Sequence, residues 1–593
     1  MRSAIAVTIA LLMLGLAPSL AAARGERLML VWLPQATTVE ELAEAGFSPG
    51  VMSAGLGTVA PEQTYLDVGQ GNRAFDSLYD KPLPARRGER SRWWREVFER
   101  AESAPADIVP GLLRSTLTAA GASSELVMRR TSLDRLPPPG SYGLLIAIAR
   151  PSGRSDEPLP IGIEGAGFDG NLTSDSTRTD GYVLSTDVAP TVLERLGAAV
   201  PAAMSGQPIR SEGEVDPATI ESLVERMDVI GSRRGPVIGL NIAAWLATLM
   251  LVALLSRGRL ARAAVRLTGL AIVYLPLVLL LGAALEPGEA AEQLLVLLLC
   301  PLLGALTLGL LPGYRALAVA SALTVAAYAG DVIAGSPLTE LSLLGPNPGL
   351  GVRFYGIGNE LEALLAVLVV AGTGAALTGF AVRPAARAAA GAFAAAGLLA
   401  AFVFAAGRFG ADVGAAIVFP IGAAVAAVLV AGHGRRTALL AVVAAPFAVL
   451  ALLALIDLVS GANAHLTRSV LDAGGLGNLA DVAQRRLQLS AHSFGRPVLL
   501  ALLPLVLAMA VLAYVRRDRL GAWLTPVPAM RAGLAGALAA TVIGTLANDS
   551  GALLLEIGAA YLLVFIAYAW AESDANSEKT DVQTKRYTSV TQI

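Results

Sequence analysis

A single cysteine, Cys300, lies inside an apolar run, so no disulfide can form within the chain and no cysteine-based metal site can be assembled. Histidine is almost as scarce. The three present, His433, His465 and His492, all fall in the second half of the chain, which argues against conventional zinc sites in the first. Charged residues make up 16% of the 593, and 45 basic side chains face 47 acidic ones. Such a balance offers no broad basic field, so nucleic acid is not an expected partner. Nor is there a glycine-rich nucleotide loop. Direct ATP use is therefore not expected, and the sequence calls for no cofactor and no metal. What the chain has in abundance is apolar surface. A hydrophobic fraction of 54% and a mean hydropathy of +0.61 belong to a membrane protein, with the lipid bilayer as its first partner.

Residues 1–23 carry Arg2, an apolar run from Ala4 to Leu16 and the small residues Ala21, Ala22 and Ala23. This is the layout of a signal peptide or, if uncleaved, a signal anchor, and either sends the following segment across the membrane. From 24 to 234 short apolar runs bounded by turn residues, such as Leu28–Val31 and Tyr142–Ile148, read as buried parallel strands. The patterns Thr38–Ala45 and Trp93–Ala101 read as helices between them, which makes this part an α/β domain.

Over 235–571 the pattern changes to an all-α polytopic bundle. Apolar stretches long enough to span about 30 Å of hydrocarbon recur near 237–256, 267–286, 291–311, 316–334, 358–379, 388–406, 411–431, 437–458, 497–515, 530–547 and 552–570. That gives about eleven transmembrane helices. Arginines mark every second loop: Arg257, Arg259, Arg262 and Arg266, then Arg315, Arg383 and Arg387, Arg435 and Arg436, and Arg516, Arg517 and Arg519. By the positive-inside rule these loops are cytoplasmic, which puts the 24–234 domain outside a bacterial plasma membrane. Arg353, Arg408 and the 459–496 loop are exceptions to that pattern. The charged segment 572–593 then reads as a disordered cytoplasmic tail.

In the outer domain, Pro160-Ile161-Gly162-Ile163-Glu164-Gly165 precedes Phe168-Asp169-Gly170-Asn171, and Thr186-Asp187-Val188-Ala189-Pro190-Thr191 opens a helix that Asp187 can cap. This resembles the C-terminal part of the alkaline phosphatase superfamily. The resemblance implies an alkaline-phosphatase-like fold and, in active members, two metal ions held by Asp and His beside a Ser or Thr nucleophile. Here the ligands are missing. The first strand runs into Trp32-Leu33-Pro34, Ala149-Arg150-Pro151-Ser152-Gly153 stands where Asp-His-Gly is expected, and the domain has no histidine. The expectation is a catalytically inactive, metal-free binding domain. Its glycine-rich turn with Asn72 and Arg73 is a candidate anion site.

Four polar clusters interrupt the apolar half, all on the predicted outer side. They supply the candidate substrate- or ion-binding residues: Arg353, Tyr355, Asn359 and Glu360; Arg408 and Asp412; the loop around His465; and Asn548, Asp549 and Ser550 with Glu556. A carboxylate inside a span costs about 2.5 to 3.5 kcal/mol on insertion scales, so Glu360, Glu362, Asp412 and Glu556 require partners, protons, water or ions. Together with the outer domain these clusters also resemble a group of bacterial multi-pass membrane proteins without an assigned activity. The leading expectation is a transporter or flippase-like protein for an ion or an anionic, lipid-linked envelope substrate, with Glu360, Asp412 and Asp549 carrying protons or cations and Arg353 and Arg408 facing the anion. A transferase or hydrolase acting on such a substrate is the alternative, and an envelope assembly scaffold the third.

Overall fold

The structure, a computed structural model, describes residues 27–460 except 87–88, 105, 123–124, 257, 347 and 382–384, then 490, 493, 494, 504, 507, 508, 511 and 512, and finally 514–590 except 549. The signal segment, His465, His492, Asp549 and most of the 497–515 span lie outside the described residues. The chain divides into two compact units, Met1–Asp228 with Asn347–Phe354, and Val229–Pro346 with Tyr355–Ile593. A short piece from the middle of the apolar half thus belongs to the first unit, which sequence order alone does not reveal.

The first unit contains strands β1 (Leu28–Leu33), β2 (Ser48–Ser53), β3 (Leu126–Arg130), β4 (Leu144–Ala149), β5 (Leu159–Gly165), β6 (Asn171–Ser174), β7 (Tyr182–Leu184) and β8 (Ile209–Glu212). Six of them form one sheet in the order β3-β1-β4-β5-β2-β7, while β6 and β8 pair separately. Helices α1 (Val39–Glu44), α2 (Pro61–Gln70), α3 (Arg90–Ala101), α4 (Leu112–Ala119) and α5 (Val188–Arg195) connect them.

All six residues of β1 are buried because both faces of the sheet are covered. Leu28, Leu30 and Trp32 join a core with Val68 of α2, Leu113 of α4 and Val192 of α5. Met29, Val31 and Leu33 point the other way, onto Leu42 of α1 and Phe47. Each such side chain contributes about 1.5–3 kcal/mol when fully buried. The capping box of Thr38 and Glu41, whose backbone and side-chain hydrogen bonds are both 3.1 Å, starts α1 where the sequence pattern predicts it.

The expectation of parallel strands holds for β1 with β3 and β4 and for β2 with β7. It fails for β5, which runs antiparallel to both β4 and β2. The reason is the connection. Residues 150–158 hold no helix, and a parallel return needs a crossover of about a dozen residues or more. The sheet is therefore mixed.

The second unit is helical. The helix α6 (Pro217–Gly235), whose residues up to Asp228 belong to the first unit, passes through a π turn at Pro236–Leu240, where proline supplies no N–H, into α7 (Asn241–Leu255). There follow α8 (Arg259–Leu285), α9 (Glu289–Leu310), α10 (Tyr314–Ile333), α11 (Asn359–Phe380), α12 (Ala386–Ala405), α13 (Ala415–Val430), α14 (Arg435–Ser460), α15 (Arg517–Leu524), α16 (Pro528–Ala547) and α17 (Gly551–Val590). Among the described residues eight helices are long and apolar enough to cross a membrane, which makes this a multi-pass membrane protein. The stretch expected at 411–431 is the shorter α13, and that at 437–458 lies within α14.

The central helix is α11, in which every residue from Leu361 to Gly372 is buried. It packs against α10, α13, α16 and α17. The helix α17 runs on to Val590, into the segment read as a tail. From Ala571 to Val590 there is neither glycine nor proline to stop a helix, and sequence polarity alone does not break one.

Candidate functional site

Three irregular segments meet at the N-terminal end of α11. The first follows α10, where the Asp331 carboxylate accepts hydrogen bonds from the N–H groups of Leu338 (3.0 Å) and Thr339 (2.8 Å) and closes the turn. The second is 355–358, in which Gly356 N–H donates to Ser336 Oγ at 2.9 Å and Ile357 N–H to Gly410 O at 3.2 Å. The third, 406–414, is closed by the Asp412 N–H on Phe404 O at 3.1 Å. Side chains carried by these turns are set by backbone pairing rather than by a regular helix, as in the broken helices that line membrane sites.

The residue this arrangement isolates is Glu362, in the first turn of α11 and with no solvent exposure. Asn548, at the end of α16, donates from Nδ2 to Glu362 Oε2 at 2.7 Å and to Asn359 Oδ1 at 3.1 Å. Gly414 passes so close that a Cβ there would lie 2.5–2.8 Å from the carboxylate atoms. Ser550 N–H is 3.3 Å from Asn548 Oδ1 and fixes that amide from behind. The positive end of the α11 dipole favours negative charge at this place. Glu556, on α17, is also buried, and among the described residues its Oε1 has no hydrogen-bond partner.

Several expected site residues also make structural contacts. Asp412 is buried and accepts at 3.0 Å from the N–H of Ala415, the first residue of α13. Arg408 is exposed, its guanidinium 4.9 Å from the Phe409 ring. Arg353 belongs to the first unit, whereas Tyr355, Asn359 and Glu360 belong to the second. Glu360 is paired with Arg234, 3.4 Å away, and Arg234 also donates to Gly345 O at 2.8 Å. Its neighbour Arg233 donates to Pro287 O at 3.0 Å and pairs at 3.2 Å with the fully buried Glu292. Neither arginine stands among the expected partners, yet the signal was there: two arginines just before the first span, on the arginine-poor side, need anions nearby.

Removing Arg233 strips a buried carboxylate of a partner. Arg233→Ala is expected to destabilise the detergent-solubilised protein by about 3 kcal/mol. The double change Arg233→Met with Glu292→Gln is expected to cost less than Arg233→Ala. Thermal unfolding of both variants checks this, and equal losses would show that the charge pairing does not matter.

In the first unit the expected anion-site residues Asn72 and Arg73 make a set of hydrogen bonds within the unit. Arg73 Nη1 donates to Ser53 Oγ (3.1 Å) and Gly55 O (3.2 Å), and Nη2 to Gly351 O (2.5 Å). Asn72 Nδ2 donates to Asp107 O and Ala203 O, while its Oδ1 accepts from Arg73 N–H and Ser205 Oγ. These groups tie loops together, because buried backbone carbonyls need donors as much as a ligand would. Asp187 likewise does not cap α5 with its side chain. Its carboxylate accepts from Ser174 Oγ, Ser176 Oγ and the N–H groups of Leu184 and Gln207, at 2.6–2.9 Å. Burial nonetheless pushes Asp187 above the usual carboxylate range.

Asp67 is also fully interior. Burial pushes it from 3.8 up to about 7, against opposing hydrogen bonds from Gln63 (2.7 Å) and Gln70 (3.0 Å) and the charges of Arg73 and Arg100. A carboxyl whose folded pKa is raised stabilises the fold most below its unfolded pKa. That contribution is lost as pH rises from about 4 to about 7 and stays lost above. The ceiling is about 4 kcal/mol, at 1.36 kcal/mol per unit. Asp67→Asn keeps an acceptor for both glutamines, so this variant is expected to show a shallower fall in unfolding temperature between pH 4 and 8 than the parent. Parallel melting curves across that range check it.

Among the described residues no group of three or more His, Cys, Asp or Glu side chains is placed to hold a metal ion. Comparison with protein families, with curated proteins and with solved structures finds no match to this chain.

Proposed function

We propose that the chain is a transporter or flippase-like membrane protein, and that Glu362, with Asn548 and Asn359, is the group through which a proton or cation passes or couples. The observation that carries this reading is a carboxylate with no exposure at a helix start, held by the Asn548 carboxamide, which also donates to Asn359, and walled by the Gly414 backbone. An ionisable group at that depth is costly, and proteins keep such groups in ion and proton paths. Helix starts exposed by broken backbone are also where transporters place ligands. The nearby Arg234–Glu360 pair supplies a cation to orient an anionic substrate.

The N-terminal unit would then lie outside a bacterial plasma membrane and serve as an inactive alkaline-phosphatase-like binding module. Support for the sidedness comes from the bundle. Arg266 pairs with Glu572 at 2.8 Å, and Arg315 Nε donates to Gly379 O at 2.8 Å, so arginine-bearing helix starts lie beside the end of the apolar stretch Gly551–Ser573 of α17 and the end of α11. The Glu362 cluster occupies the opposite end of α11. Support for the module reading is the lack of histidine and the use of Asp187 as a loop clamp.

The full chain, reconstituted in liposomes with a trapped pH dye and a fluorescent analogue of phosphatidylglycerol, tests the proposal. Lipid translocation or proton flux above that of empty vesicles, lost in Glu362→Gln, is the expected result. Flux equal to empty vesicles, or unchanged by that substitution, would overturn it.

A further inference from the structure

A second candidate site lies wholly within the first unit and is independent of the membrane carboxylates. One face of β1 and β3, with α2, α3 and α4, lines a half-open cavity of about 1150 Å³. Five arginines line it: Arg86, Arg90, Arg114, Arg129 and Arg130. All five are exposed, and among the described residues none is paired with a carboxylate. Glu62 is the acidic residue on the lining. So many unneutralised guanidinium groups around one concave surface repel each other and raise the local concentration of anions.

The cavity is also aromatic. Trp32 and Tyr65 form an edge-on pair with ring centroids 4.5 Å apart, and Trp93 and Trp94 form another at 5.1 Å. Arg86 lies over the Trp93 ring at 5.9 Å and Arg130 over Tyr65 at 5.8 Å, so two of the guanidiniums are positioned by aromatic faces rather than by acids. The buried floor, with Leu113, Leu117 and Val68, is apolar. Flat apolar rings between forked cation donors suit a ligand that has both a ring with C–H faces and an anionic group.

The geometry points to a binding site in this cavity for a phosphate-bearing saccharide, its ring stacked on the tryptophans and its phosphate held by the arginines. This goes beyond the translocation proposal, since neither requires the other. The phosphate can belong to a free sugar phosphate or to the headgroup of a lipid-linked one, and the recognition chemistry is the same.

The test uses the full chain in detergent, titrated with glucose 1-phosphate, with a polyprenyl-phosphate-linked glucose, with inorganic phosphate and with neutral methyl glucoside. Three of the six tryptophans line the cavity, so intrinsic fluorescence reports occupancy directly, and calorimetry gives the affinity. Saturable binding of either phosphosugar, tighter than of phosphate or methyl glucoside, is the expected result. Binding of both identifies a free sugar phosphate as sufficient, whereas binding of the lipid-linked form alone assigns the site to a lipid headgroup. Arg114→Ala with Arg130→Ala changes exposed positions and is expected to weaken binding roughly tenfold or more at an unchanged melting temperature. Trp94→Leu provides an independent loss of the ring contact. The proposal is overturned if the four probes bind alike or not at all, or if the variants bind as the parent does.

Discussion

Replacing Glu362 by glutamine is expected to abolish translocation by the reconstituted protein while changing its stability by no more than about 1 kcal/mol. Glutamine matches the volume of glutamate and can still accept the Asn548 amide, whose donor lies 2.7 Å from the carboxylate. What it cannot do is gain or lose a proton or balance a cation. Glu362→Ala should behave differently. It leaves the Asn548 donor without that acceptor and opens a cavity in the most buried stretch of α11, so stability should fall by about 2–5 kcal/mol. The comparison separates function from fold: an inactive but stable glutamine variant supports the coupling role. A fully active one would return Glu362 to a purely structural place, and the search would move to Glu556 and Glu360. Asp412→Asn and Asp412→Ala, at a carboxylate that accepts from Ala415 N–H at the start of α13, should affect stability more than transport.

The largest loss of stability is expected from Gly356→Ala. Gly356 has φ +76°, and a Cβ there would lie 1.9 Å from the carbonyl oxygen of Gly410. The left-handed conformation alone costs an alanine roughly 1–2 kcal/mol. The clash is with backbone, so relief requires the 406–414 turn to move, with loss of the Ile357–Gly410 hydrogen bond and displacement of the segment that carries Gly414 to Glu362. A total above about 4 kcal/mol is expected, enough to prevent isolation of folded protein. Gly358 provides the control two residues on. Its φ is −88°, and an added Cβ would meet the flexible end of Glu360 at 3.2 Å and Pro346 Cα at an ordinary 3.8 Å. Gly358→Ala should therefore be tolerated within about 1 kcal/mol. Melting profiles of the two variants in detergent measure the difference, and similar behaviour would refute the account of this turn.

Much of the architecture was legible in the chain because it rests on local pattern. Runs of about twenty apolar residues can satisfy their backbone in lipid only as helices, so most spans could be placed from hydropathy. The Leu28–Val31 and Leu144–Ile148 runs and the Thr38–Glu41 cap mark their elements equally directly. Strand direction was not legible, since β5 has the same apolar character whichever way it enters the sheet, and only the helix-free connection at 150–158 turns it antiparallel.

The site divides along the same line. Sequence alone determined that carboxylates at the N-terminal end of α11 need partners, because the cost of burying charge does not depend on topology. Only the tertiary structure decided which partners. Arg234 rather than a nearby loop arginine is the cation recorded beside Glu360, and Asn548, from a helix almost two hundred positions away, reaches Glu362. It also sent Asn347–Phe354 to the first unit and turned Arg73 onto backbone carbonyls. Five arginines and four aromatic rings scattered between Trp32 and Arg130 became one cavity in the same way. Pairings of this kind depend on which chain segments meet in space, and no local periodicity encodes that.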